Sequence, residues 1–238
     1  MVQSDGATTI GICLVLDVAP FNPHAGTKNG LSPALSGRFA DCLIFDDFLA
    51  DPDTVRQSAI ASGFGSWKPS KGAIGSSVYD GMNFYGDHAT ILETIYKKAG
   101  FVGFPNSMLF RVTNETTERA YVHSDVTAGD TTCILYLSQH ADKYGTGFYR
   151  HRESGALAMP PLNVLAQYPA AFEKLKADIN DSSETLWEEV EFVQGKYNRA
   201  VVFKSHRWHR RFPDHGFGTD EHSGRMIHIT HFKDGKLL

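Results

Sequence analysis

The apolar positions of this chain change period part-way along. Residues 8–18 (Thr-Thr-Ile-Gly-Ile-Cys-Leu-Val-Leu-Asp-Val) are predicted as a strand, followed by a turn-rich stretch with Pro20, Pro23, Gly26, Gly30 and Pro33. Residues 42–45 read as another strand. Asp51-Pro52-Asp53 then opens a helix: Asp51 can cap it, Pro52 suits its first position, and Asp53 complements its dipole. That helix is expected over residues 52–62, with Gly63 as its stop. Ile91, Leu92, Ile95 and Tyr96 share a face of a second helix over residues 89–99, ended by Gly100. Between the helices, residues 63–86 are rich in glycine and serine, with Trp67, Tyr79 and Phe84 interleaved, and read as loop with short strands.

From Met108 the period becomes two, as in half-buried strands. Strands are predicted at residues 108–112, 120–125, 131–138, 189–193, 200–203 and 225–232. Residues 160–187 interrupt this pattern, and Phe172, Leu175 and Ile179 mark a helix face within the interruption. Helices early and strands late, with no sharp linker, predict a single α+β domain over residues 1–238. Its N-terminal strands and supporting helices reach to residue 105. A β core fills residues 106–238, with an insertion near residues 150–188. Long insertions are commonly lids, so this one, with the loop of Trp67, Tyr79 and Phe84, is expected to wall a pocket.

Composition changes little in this picture. A hydrophobic content of 42% and a charged content of 21% are ordinary for a globular protein. The net charge of −4 speaks against general nucleic-acid binding. Three cysteines (Cys13, Cys42, Cys133) cannot complete a disulfide framework and fit reduced thiols. The apolar run near the N-terminus lacks a basic segment before it, and no run approaches the ~20 residues of a membrane span. A cytoplasmic protein without membrane partners is expected.

Histidine is abundant, at eleven residues, and concentrated in the second half. His123 and Asp125 are two apart, so on one strand both side chains share a face. An imidazole and a carboxylate side by side supply two thirds of a facial triad that holds non-haem Fe(II) with open positions. Alone, His-X-Asp is a common pattern that also describes a solvated strand end. The third ligand must come from a distant strand, and residues 200–210 offer two candidates, His206 and His209, three residues apart and facing opposite sides of an extended strand.

The surroundings add to the signal. Thr132-Cys133-Ile134-Leu135-Tyr136-Leu137-Ser138 follows, then Gly145-Thr146-Gly147-Phe148-Tyr149. Ala200-Val201-Val202-Phe203 leads to Trp208-His209-Arg210, and Gly224-Arg225-Met226-Ile227-His228-Ile229-Thr230 comes last. In this order the elements resemble the Fe(II)- and 2-oxoglutarate-dependent dioxygenases of the prolyl-hydroxylase-like branch, over residues 108–232. Asp46-Asp47-Phe48-Leu49 and the helix after it resemble the N-terminal element of many of these enzymes.

The resemblance implies a double-stranded β-helix core, jelly-roll and cupin-like, and a metal held by His123, Asp125 and His209. It implies that Arg225, supplemented by Tyr136, grips the far carboxylate of 2-oxoglutarate. The implied reaction is hydroxylation of an unactivated C–H in a small molecule or peptidyl side chain, with O₂ consumed and succinate formed. Asp125 keeps the carboxylate that related halogenating enzymes replace. The sixteen positions from His209 to Arg225 (225 − 209) exceed the usual spacing. Arg150 and Arg152, in a basic run that also reads as a solvated face, are expected with Trp67 and Tyr79 to meet the substrate. Two alternatives remain open: a jelly-roll binding or structural protein, and a cupin-like metalloenzyme that does not use 2-oxoglutarate.

Overall fold

Local signals place the first two helices. In α1 (Pro52–Ser62) the Asp51 carboxylate accepts the Thr54 N–H at 3.0 Å, and Gly63 closes the helix at φ 77°. In α2 (His88–Ala99) Asp87 caps Thr90 in the same way, and Gly100 ends the helix in the left-handed region at φ 56°. Ile91, Ile95 and Ala99, four apart, form the buried stripe. The computed structural model describes residues 37–39, 42–68, 79–139 and 144–237. The strand expected over residues 8–18, the turns after it and Cys13 lie outside the described residues.

Two antiparallel sheets carry the rest. β1 (Gly37–Phe39), β2 (Cys42–Phe45), β3 (Gly65–Trp67), β4 (Tyr79–Asn83), β5 (Phe101–Thr113), β6 (Thr131–Tyr136), β9 (Arg199–Lys204) and β11 (Arg225–Leu237) form an eight-stranded sheet ordered β1-β2-β9-β6-β11-β5-β4-β3. β7 (Gly145–His151), β8 (Trp187–Gln194) and β10 (His209–Phe212) form a three-stranded sheet ordered β10-β7-β8. Between β7 and β8 lie a short helix, α3 (Leu162–Leu165), and α4 (Pro169–Asp181). The fold is α+β and mostly antiparallel. No helix among the described residues is long and apolar enough to cross a membrane.

Alternation along the central strands separates two cores. Phe110, Val112, Cys133, Leu135, Ala200, Val202 and Met226 face α1 and α2, meeting Val55, Ala59, Ile91 and Ile95. Their neighbours Ile134, Tyr136, Val201, Phe203 and Ile227, with Cys42 and Ile44, face the small sheet and meet Tyr144, Phe148 and Val193. This second, inter-sheet face positions the site. Arg225 pairs with Thr113, Ile227 with both Arg111 and Tyr136, and His231 with Thr132. Directly opposed residues point to one side, so Arg111, Tyr136, Arg225 and His231 share the inter-sheet face.

One predicted strand is absent. Residues 120–125 form an extended segment with a single bridge, His123 to His209, and a turn begins directly after Asp125. The predicted path from residue 200 to 210 also divides. β9 ends at Lys204, a turn at Ser205 and His206 follows, and the chain re-emerges as β10 in the other sheet.

Candidate metal centre

That crossing decides which histidine joins His123 and Asp125. His206 lies exposed in the turn, whereas His209 begins β10 and is buried. The His123 N–H donates to the His209 carbonyl at 3.0 Å, and the His209 N–H returns the bond at 2.9 Å. The Asp125 N–H donates to the Ser205 carbonyl at 2.8 Å, anchoring the carboxylate to the same turn. As a result the ligand atoms of His123, Asp125 and His209 lie within 4.8 Å of one another. The His123 and His209 ring centroids are 4.4 Å apart.

Both imidazoles are oriented by backbone. The Nδ1 of His123 sits 2.8 Å from the Tyr121 carbonyl, and the Nδ1 of His209 sits 3.0 Å from the Arg207 carbonyl. A carbonyl only accepts, so each Nδ1 carries the hydrogen and each Nε2 is left toward the cluster, the arrangement that fixes a metal-binding tautomer. On the carboxylate, Oδ1 is 3.6 Å from the His123 Nε2 and Oδ2 is 3.3 Å from the His209 Nε2. The Thr132 hydroxyl donates to Oδ2 at 3.1 Å.

His231 is a fourth group on this carboxylate, its Nε2 3.3 Å from Asp125 Oδ2 and its Nδ1 2.7 Å from the Ser107 hydroxyl. Burial by itself would raise the Asp125 carboxyl, but His209 and His231 beside it hold it well below the usual range. Burial works against a charged His209, yet the Asp125 carboxylate raises it above the ordinary histidine value. His123 is pushed down by desolvation and by the charge of His209. Its side chain keeps 46% of its surface open, so water screens part of that shift. The cluster thus presents an ionised carboxylate and a neutral His123 imidazole, with Asp125 favouring the protonated form of His209.

Farther along the inter-sheet face, Arg225 is 1% exposed. One of its terminal nitrogens donates to the Gly145 carbonyl at 3.2 Å, and its Nε has no partner. Its guanidinium carbon lies 5.9 Å from the ring centres of both Tyr136 and Tyr144. Burial raises the Tyr136 phenol, which therefore stays protonated; its hydroxyl pairs with Thr146 at 2.7 Å. Gly145 and Gly147 hold β7 close to β8: a Cβ on Gly145 would lie 2.2 Å from the Val193 carbonyl oxygen.

A protein-family model described as a family of unknown function, DUF6445, matches residues 112–230, half of the chain. The chain belongs to this family. The matched span contains His123, Asp125, Tyr136, His209 and Arg225, and starts one residue after Arg111. No curated protein matches the chain.

Outside the cluster, the segment between β7 and β8 is placed differently from the expected lid. Arg150 is exposed and pairs with Glu188 at 3.4 Å, and Arg152, also exposed, donates to the Glu184 carbonyl at 2.9 Å. Neither is brought to the His–Asp–His cluster. Leu175 and Ile179 of α4 pack with Val122, Tyr149, Trp187 and Trp208. Val122 and Trp208 are the chain neighbours of His123 and His209, so by alternation they point away from the cluster. The insertion is a buttress behind the histidines instead of a lid over them. The Val122 N–H donates to the Ser182 hydroxyl at the end of α4, and His151 and Trp187 fasten the helix through Asp178.

The aromatic loop fares differently. Trp67 stacks 5.9 Å from Tyr79, and Tyr79 lies 5.3 Å from the guanidinium of Arg111. Arg111 and Glu118 carry no motif in the sequence, Arg211 belongs to a basic run with Arg207 and Arg210 that reads as a solvated face or a contact to an anionic group, and His231 reads as a strand or loop residue. Two signals for the last two were present: Arg211 is two residues beyond His209, and His231 is six beyond Arg225, both even spacings on a strand.

Proposed function

We propose that this protein is an Fe(II)- and 2-oxoglutarate-dependent dioxygenase that hydroxylates an unactivated C–H of a small molecule or protein side chain. The observation that carries the reading is one face between two sheets bearing both an open His–Asp–His cluster and a sealed guanidinium. The strand order supports a double-stranded β-helix. From β5 onward the chain visits the large sheet, the His123 bridge beside the small sheet, β6 in the large, β7 and β8 in the small, then β9, β10 and β11 in alternate sheets.

The donor set suits the group. Two imidazole nitrogens and one carboxylate oxygen on one side are a ligand set for non-haem Fe(II). Bound there, the metal would supply open coordination positions for a chelating oxo-acid and O₂, and the redox chemistry between them. His123, Asp125 and His209 hold it, and His231 with Thr132 orients the carboxylate. Arg225 has a buried Nε without a partner, which suits a carboxylate, and the protonated Tyr136 hydroxyl would add a donor. Phe148, Phe203, Ile227 and Ile134 between these ends exclude water. A closed structural site would gather a fourth ligand; His231 stays outside the 4.8 Å group and contacts its carboxylate instead.

The test is an anaerobic titration of 2-oxoglutarate into the Fe(II)-loaded protein, following the metal-to-ligand charge-transfer band. Saturation with one equivalent is expected. Truncating one partner of a buried charge pair costs about 2–5 kcal/mol, so Arg225→Met should weaken binding by roughly 30-fold or more. Absence of the band in the wild type, or unchanged affinity in Arg225→Met, would overturn the assignment.

A further inference from the structure

Arg225 is not the only cation between the sheets. Arg111 points from β5 to the same face, and Arg211, two residues after His209, points inward from β10. The side chains of Arg111 and Arg211 keep only 14% and 9% of their surface. Both converge on one carboxylate, that of Glu118: Arg111 hydrogen-bonds its Oε1, and Arg211 lies 3.9 Å from the same oxygen while donating to the Glu118 carbonyl. The Nε atoms of Arg111 and Arg211 and the second oxygen of Glu118 are buried without partners.

Charge makes this arrangement incomplete. At contact distance Arg111 and Arg211 share the one carboxylate of Glu118, with the charge of Arg225 beside them, so positive charge is in surplus in a space largely shut from water. Asp80 and Asp214 make no ion pair with Arg111 or Arg211, Asp80 accepting from Ser66 at 2.6 Å and Asp214 bound to Arg119 at 2.7 Å, and their charges offset those of the two arginines only in part. Burial, and then the charge of Arg225, press Arg111 below the usual arginine range, with Tyr79 and Asp80 offsetting part of the effect. Unpaired charge in a low-dielectric site is costly, and arginine forks match carboxylates and phosphates. A 2-oxoglutarate carboxylate on Arg225 would answer that guanidinium and leave Arg111 and Arg211 sharing Glu118.

We infer that Arg111 and Arg211, braced by Glu118, form a second anion subsite that takes a carboxylate or phosphate group of the molecule to be oxidised. The location suits a substrate. Arg211 is on the strand that supplies His209, two residues further on and facing the same side. Outward from Arg111 run Tyr79, Trp67 and Phe84, the last two 41% and 44% exposed, with ring centroids 5.9 and 6.4 Å apart in sequence from Tyr79. They offer an aromatic surface to whatever carries the anion. Calling this molecule the substrate rests on the oxygenase reading; the surplus charge does not.

The experiment titrates acetate and, separately, inorganic phosphate into the Zn(II)- and 2-oxoglutarate-loaded protein at constant ionic strength, against chloride, by calorimetry. Saturable binding of one equivalent of acetate identifies a carboxylate subsite, and of phosphate a phosphate subsite. Arg211→Met leaves Arg111 and Glu118 as a balanced pair and should weaken the probe at least tenfold, with 2-oxoglutarate affinity within about threefold of wild type. Glu118→Gln keeps the shape, adds a surplus positive charge and should tighten the probe. If neither probe saturates in the wild type, or Arg211→Met binds the probe unchanged, the inference is wrong. It is also wrong if Arg211→Met loses 2-oxoglutarate as severely as Arg225→Met, since the pair would then belong to the co-substrate. Repeating the titration without metal or 2-oxoglutarate separates the two readings. Arg211-dependent probe binding in a protein that never binds 2-oxoglutarate would sink the oxygenase and keep the anion subsite.

Discussion

His123 and His209 exchange both of their backbone hydrogen bonds, at 3.0 and 2.9 Å, although they lie on segments distant in sequence. A doubly bonded antiparallel pair holds its Cα atoms about 5.5 Å apart with both side chains on one side. The two imidazoles are thus set by the main chain before any ion arrives, and Asp125 is added by its own bond to the Ser205 carbonyl. The protein should bind one divalent ion. Losing an outer-shell partner costs 10–100-fold in affinity, and losing a ligand should cost at least as much. His209→Ala and Asp125→Ala should therefore lose the ion with the far-ultraviolet circular dichroism unchanged, while the exposed His206→Ala keeps it. Loss on changing His206 alone, measured by calorimetry, would reverse the ligand assignment.

His231 should act through Asp125. Its Nε2 faces Oδ2 at 3.3 Å, and the Ser107 hydroxyl sets its orientation at Nδ1. His231→Ala should lower metal affinity about 10–100-fold without removing a ligand, and His231→Gln, which keeps a donor, should recover part of it. Equal affinities for wild type and His231→Ala would deny it any orienting role.

The pH dependence has a definite sign. Asp125 raises the folded-state pKa of His209 above its unfolded value of 6.5. The metal-free protein therefore gains stability from the protonated pair below pH 6.5 and loses it as pH rises through the raised value. Metal needs the neutral imidazole, so its affinity should move the opposite way, rising close to tenfold per pH unit until His209 has titrated. Calorimetry in buffers of different ionisation enthalpy should find protons released on metal binding below pH 6.5, with the release fading as pH rises through the raised value. Zero release would mean His209 is already neutral in the free site.

The buttress predicts a separation of stability from chemistry. Leu175 is 9% exposed in the cluster behind the histidines, and Leu→Ala at buried sites costs about 2–5 kcal/mol. Leu175→Ala should lower the unfolding free energy by that order in urea melts. Ser182→Ala leaves the Val122 N–H without its acceptor, a loss of about 1–3 kcal/mol, and should also weaken metal binding, because Val122 precedes His123. A Leu175→Ala protein of wild-type stability with altered substrate affinity would restore the lid.

Much of this molecule is legible locally. Asp51 with Pro52, Asp87, Gly63 and Gly100 mark helix ends by chemistry that acts within four residues, and α1 forms at the predicted bounds. The two-residue step from His123 to Asp125 and the alternation of β11 are local in the same sense. What tertiary structure decided was pairing between distant segments. The turn at Ser205–His206 moves the chain from one sheet to the other, which exposes His206 and buries His209; no spacing within residues 200–210 contains that event. His231, Arg111 and Arg211 become neighbours of the cluster only because β5, β10 and β11 meet across the two sheets. The apolar stripe of α4 specified that it needed a partner, and any apolar surface would have served. The side chains of Val122 and Trp208, turned away from the cluster by strand alternation, supplied that surface. Periodicity states which side of an element is buried, and long-range packing decides against what.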